Sequence, residues 1–141
     1  MTTLRRLLTI ATGAVAGALA LSAFVVAPLA FRIFAEDRAG AGALAGAVFR
    51  IAYWSTLVVA LAAALFARPL RIGPTLSALL LGVLAALQIG YFAPLIQAHG
   101  EGWPYSFAAL HAIASVIHLG LLGLALVLTW FLCAPRIASE P

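Results

Sequence analysis

Lysine is absent from this 141-residue chain, acids number four, and charged residues make up 9% of the total. A water-soluble domain carries about 25% charged residues, because its surface must be solvated. Four acids and eight arginines cannot do that, which excludes water as the only solvent. Carboxylates are missing between Asp37 and Glu101 and again between Glu101 and Glu140. That excludes proton relays and cation sites built on acids within a membrane. The single cysteine, Cys133, excludes an intramolecular disulfide and a cysteine metal cluster. No phosphate-binding glycine loop, G-x-S-x-G elbow or H-E-x-x-H zinc motif occurs. Nucleotide hydrolysis and ordinary hydrolase chemistry are disfavoured, and the chain reads as non-enzymatic.

What is abundant is oil. Hydrophobic residues account for 65% of the chain, and mean hydropathy is +1.15. Four apolar runs, at about 7–34, 43–67, 74–97 and 105–133, fill a single membrane domain covering 1–141. Each is near the ~20 residues that cross ~30 Å of hydrocarbon as a helix. Lipid offers backbone groups no water, so these spans must be helices. The expected fold is an all-α integral membrane protein, a four-transmembrane-helix bundle. Ala18-Leu19-Ala20 resembles a signal-peptidase site, but the first run stays apolar well beyond it, as an uncleaved span does.

The arginines lie at the ends of these runs, where guanidinium meets lipid phosphate, so the basic balance points to lipid and away from nucleic acid. Arg5, Arg6, Arg68, Arg71 and Arg136 fall on one side, against Arg32 and Arg38 on the other. The positive-inside rule then places both termini in the cytoplasm. Abundant alanine and arginine without lysine suggest a bacterial inner membrane. Ala27-Pro28-Leu29 near the end of the first run recurs as Ala93-Pro94-Leu95 near the end of the third. This implies two parallel helical-hairpin repeats, with both prolines bending their helices in one leaflet.

Few side chains remain to carry chemistry. His111, Ser115 and His118 recur at i, i+4 and i+7 of the fourth run, the spacing of one helix face. Gln88, Tyr53 and Ser55 fall near the midplane of their spans, with Arg50 further out beside His111. Polar groups inside a bundle avoid lipid, so a ligand or proton site built from His118, Gln88 and Tyr53, with Ser115, Arg50 and His111 beside it, competes with plain interhelical hydrogen bonding. The two histidines of the fourth run are about 10.5 Å apart along one face and cannot sandwich one haem iron. Haem survives only with one histidine and an open position, or with a ligand from a second subunit. No metal cofactor is expected, since three protein ligands for zinc do not converge. His99 with Glu101 in the third loop reads as a solvated turn. Gly13-x-x-x-Gly17 and Gly42-x-x-x-Gly46 suit close helix packing, and packing within the bundle accounts for them without a dimer.

Phe107-x-x-Leu110-His111-x-x-x-Ser115 resembles a stretch of the transmembrane protein 205-like family, catalogued in bacteria as a domain of unknown function. Phe24-Val25-Val26-Ala27-Pro28-Leu29-Ala30-Phe31 and the Ala- and Gly-rich 39–49 segment are similar to that family's first hairpin. The resemblance implies the same four-helix layout along the whole chain and no established chemistry. It also implies a small amide where this chain carries His118. A fainter likeness to four-helix copper-resistance and haem-pathway membrane proteins rests on layout and a helix-borne histidine. The functional classes left open are a membrane protein that binds or helps transport a small molecule or ion, a haem- or redox-associated component, and a subunit of a membrane complex or homo-oligomer.

Overall fold

The computed structural model describes residues 3–66, 72–98 and 106–134. Within them the chain forms four long helices: α1 (Thr3–Ile33), α2 (Arg38–Phe66), α3 (Ile72–Gln97) and α4 (Phe107–Cys133). All four are long and apolar enough to cross a membrane, and the protein is an all-α, multi-pass bundle. The large apolar side chains that face outward, such as Ile51, Val58, Val83 and Val116, form the surface that lipid covers.

Helix ends follow local chemistry. The second helix begins at Arg38, five residues before the apolar run does, because Asp37 starts it. Its carboxylate accepts from Gly40 N at 2.8 Å and its carbonyl from Ala41 N at 3.0 Å. The first bond satisfies an amide that the opening turn leaves without a partner, and the second is the first bond of the helix itself. The carboxylate lies 2.2 Å from where a Cβ on Gly40 would stand, so the close cap favours glycine there. Ser106 caps α4 in the same way, accepting from Ala109 N at 3.2 Å.

Both prolines distort their helices in one manner. Ser22–Val26 and Gln88–Phe92 are π-helical turns, each followed directly by Ala-Pro-Leu. The amide of Ala27 bonds to Ser22 O, and that of Ala93 to Gln88 O, one residue further back than in an α-helix. A proline ring collides with the carbonyl four residues before it and has no N–H to give it. Widening the preceding turn relieves that collision.

Burial repeats with the prolines. Leu8, Thr12, Val15, Leu19 and Ser22 are buried in α1; Pro74, Ala78, Leu81, Ala85 and Gln88 are buried in α3, each 66 positions later. In α2 and α4 the inward positions Ala41, Ala45, Ala52, Thr56 and Ala63 match Leu110, Ala114, Leu121, Ala125 and Leu132, each 69 positions later. The expected hairpin repeat is thus present in the packing register. The helices form a ring in which each packs on its chain neighbours and α4 closes on α1. One apolar core, drawn from all four helices, fills the centre.

Alanine is the main residue that lets these helices approach, with Gly73 against Phe131 and Gly82 against Ala60 as the close glycine contacts. Ala41, Ala63, Ala78, Ala85 and Ala125 are completely buried. A Cβ on Gly17, Gly42, Gly46 or Gly123 would meet nothing within 4 Å, and on Gly13 only Thr129 Cγ2 at 4.0 Å. Packing within the bundle therefore does not account for the two G-x-x-x-G patterns. The small residues on the inward stripe are alanines, and the glycines lie beside that stripe.

Candidate functional site

His118 sits on the buried side of α4, and two helices hold its ring. Nε2 lies 3.0 Å from the carbonyl of Leu19 in α1, and Nδ1 lies 3.0 Å from the hydroxyl of Tyr53 in α2. A carbonyl can only accept, so Nε2 carries the proton and donates. The neutral ring then takes the Tyr53 O–H at Nδ1. Phe49 packs edge-on against the imidazole, with centroids 5.1 Å apart and planes at 85°. One residue of α4 thereby ties α1 to α2 across the bundle.

Gln88 provides a second tie. Its amide nitrogen donates to the carbonyl of Ala114 in α4 at 2.6 Å, one turn before His118. The side chain is buried, and its position heads the π turn of α3. The corresponding Ser22 heads the π turn of α1 but spends its hydroxyl on Ala18 O and Leu19 O of its own helix. A long amide reaches the neighbouring helix where a hydroxyl cannot. Lower in the bundle, Thr12 and Thr129 hydroxyls meet at 3.0 Å between α1 and α4.

Beside this layer a cleft of about 210 Å³ opens between α2 and the proline end of α3, lined by Arg50, Tyr53, Ile89, Ala93, Pro94 and Gln97. Tyr53 links the two features, since it lines the cleft and bonds to His118. Arg50 is exposed and makes no hydrogen bond or ion pair among the described residues.

The structure divides the six candidate residues. His118, Tyr53 and Gln88 are buried together, and Arg50 lines the cleft one turn from Tyr53 on the same helix. His111 and Ser115 are exposed: His111 stacks on Phe107 at 5.8 Å, and Ser115 donates to His111 O of its own helix. The reason is angular. The buried stripe of α4 centres on Leu110, Ala114, Leu121, Ala125, Leu128 and Leu132, with His118 at its edge. At ~100° per residue His111 falls roughly 20° beyond His118 and Ser115 roughly 60° beyond. Ser55 is likewise exposed. The turn containing His99 and Glu101 lies outside the described residues. Among the described residues no group of three histidine, cysteine or acidic side chains converges as a metal site.

Two contributors escaped sequence reasoning. Phe49, the aromatic wall of His118, stands where the repeat register places the counterpart of His118 itself, 69 positions earlier. Arg5 is the other. Its guanidinium donates to Leu132 O at 2.7 Å and also to Phe131 O and Ala134 O, so it caps the end of α4 as well as marking the end of α1. A cation over unpaired terminal carbonyls also opposes the helix dipole favourably.

Residues 10–102 match the model of a family described as a domain of unknown function, DUF4149. The match takes in most of α1 and the whole of α2 and α3, ending before α4, and the chain belongs to that family. No curated protein and no solved structure matches it.

Proposed function

We propose that this member of the DUF4149 family is a non-catalytic membrane protein that binds a small molecule at the side of its bundle. In this reading the cleft lined by Arg50, Tyr53 and Gln97 is the binding site. The layer of His118 and Gln88 is a brace that holds the site's walls, in place of a route through the centre. The observation that carries this is bracing: both nitrogens of His118 have protein partners, and the Gln88 amide gives an N–H to Ala114 O. A conducted proton or ion would have to break those bonds in an apolar interior, where replacements are scarce. Arg50, by contrast, has no hydrogen-bond or ion-pair partner among the described residues.

The test is transport set against spectroscopy. Vesicles containing the protein and a trapped pH dye should take up protons no faster than empty vesicles. Purified protein in mild detergent should show no Soret band. Proton uptake that disappears in His118→Ala would replace this reading with conduction through the polar layer. A Soret band lost in His111→Ala or His118→Ala would replace it with the haem-associated alternative.

A second reading, a subunit of a membrane complex or homo-oligomer, draws on the glycines. Gly17 and Gly42 are exposed with open space above them, on faces that the bundle does not use. The resemblance to transmembrane protein 205-like proteins fits either reading. For location, we infer a bacterial inner membrane with cytoplasmic termini. Arg5 and Arg6 lie at the end of the bundle opposite Arg32 and Arg38, and the remaining loop arginines of the sequence favour the first end. Labelling of Cys133 only from the cytoplasmic side would check this.

A further inference from the structure

We propose that the cleft beside Arg50 takes a phosphate group, presented by an anionic lipid of the surrounding bilayer. This rests on the lateral-site reading above and gives that site its ligand class. Arg50 lies about 10 Å along α2 from the start of the apolar run near residue 43, at 1.5 Å per residue, and so inside the span. Its neighbours Ile51 and Trp54 are 68% and 52% exposed, so they belong to the lipid-facing surface. A guanidinium at that depth is costly unless something neutralises it.

The described part of the chain supplies no counter-charge. Its only acids are Glu36 and Asp37, at the start of α2, and the Asp37 carboxylate is engaged by Gly40 N. Helical Cβ atoms tilt toward the N-terminus, so Arg50 reaches toward the end of the bundle where α2 begins and α3 finishes. There it meets Gln97, while Ile89, Ala93 and Pro94 make an apolar wall. The guanidinium fork matches phosphate oxygens, and the apolar wall matches the glycerol and chain beneath a lipid phosphate. A volume of about 210 Å³ suits a headgroup and not a whole amphiphile; drug-sized sites run from roughly 300 Å³ upward. The open side leaves the acyl chains in the bilayer.

The experiment is native mass spectrometry of the full chain in mild detergent with equal amounts of phosphatidylglycerol and phosphatidylcholine. Helicity and gel-filtration profile would be checked for every variant. Wild-type protein should retain phosphatidylglycerol at least fivefold over phosphatidylcholine. Arg50→Gln should abolish that preference, Arg50→Lys should restore part of it, and Arg38→Gln should leave it unchanged. Ala93→Trp, which fills the cleft, should remove retention altogether. Inorganic phosphate at millimolar concentration should displace little of the lipid; full displacement would support the phosphate site but assign it to a free anion. Equal preference in wild type and Arg50→Gln overturns the ligand class, while loss of neutral lipid in Ala93→Trp would leave the cleft itself standing. Retention indifferent to both substitutions overturns the cleft as well. Glu101→Gln should change retention less than twofold. A several-fold rise would mean that this carboxylate is the partner of Arg50, and would sink the proposal.

Discussion

The hairpin α1–α2 and the hairpin α3–α4 share a skeleton and differ in what they hang on it. Both have a π turn before Ala-Pro-Leu, and both bury the same register of small and apolar positions. Yet Ser22 answers to Gln88, and Phe49 to His118. Arg50 and Tyr53 in α2 answer to Leu119 and Leu122 in α4, and Phe31 in α1 answers to Gln97 in α3. The skeleton is set by proline and by the spacing of residues that pack, so it survives a change of side chain. The polar residues have been distributed unevenly, and Arg50, Tyr53 and Gln97 gather where α2 meets α3. At the opposite junction the matching positions are leucine and phenylalanine, which ask nothing of a ligand. Shared backbone therefore explains the fold, and the unshared side chains explain why one junction is the candidate site.

Three pairs of substitutions probe that asymmetry. The largest effect is expected at His118. Replacing it with alanine leaves a cavity and strips partners from Leu19 O and Tyr53 Oη, at a cost of about 2–4 kcal/mol in thermal unfolding in detergent. Replacing it with phenylalanine copies the residue at the matching position of the first hairpin and should recover much of the packing term. If the phenylalanine variant is no more stable than the alanine one, the two positions are not equivalent. Next comes the pair at the π turns. Gln88→Leu should lose one interhelical bond, worth ~0.6–2 kcal/mol inside a membrane. Ser22→Ala should change stability by less than about 0.5 kcal/mol, because its bonds stay within α1. Equal losses would show that both π turns are tied across the bundle. The smallest effect is at the far end. Arg5→Ala should raise amide exchange in the last turn of α4, by an amount equivalent to about 1 kcal/mol, while Arg6→Ala should not. If both variants exchange alike, Arg5 is no cap.

Much of the fold was legible because apolar length and lipid leave few alternatives. The four spans followed from residue counts, and the repeat and its proline bends from the recurrence of Ala-Pro-Leu. The start of α2 was misplaced, since an alanine- and glycine-rich stretch reads as loop until Asp37 is recognised as its cap. The site was legible only in part. His118, Tyr53, Gln88 and Arg50 stand out as polar residues in apolar runs, and the structure puts them within one neighbourhood. His111 and Ser115 stood out equally, but a helical face centred on polar residues is not the face the leucines and alanines bury. A difference of roughly 20–60° separates a braced histidine from a lipid-facing one, and i, i+4, i+7 spacing does not register it. Arg5 and Phe49 were invisible for a different reason: each acts on a partner far away in the chain.

Each π turn houses one residue more than the α-helical turn it replaces. Everything beyond it is consequently rotated about the helix axis by roughly 100° relative to an undisturbed helix. In α3 that quarter-turn decides which way Pro94 and Gln97 look. Deleting a single residue from Gln88–Phe92 would leave the span long enough to cross the bilayer, yet would swing the Pro94–Gln97 wall away from Arg50. The helix would remain, and its outer third would be dialled to a different neighbour.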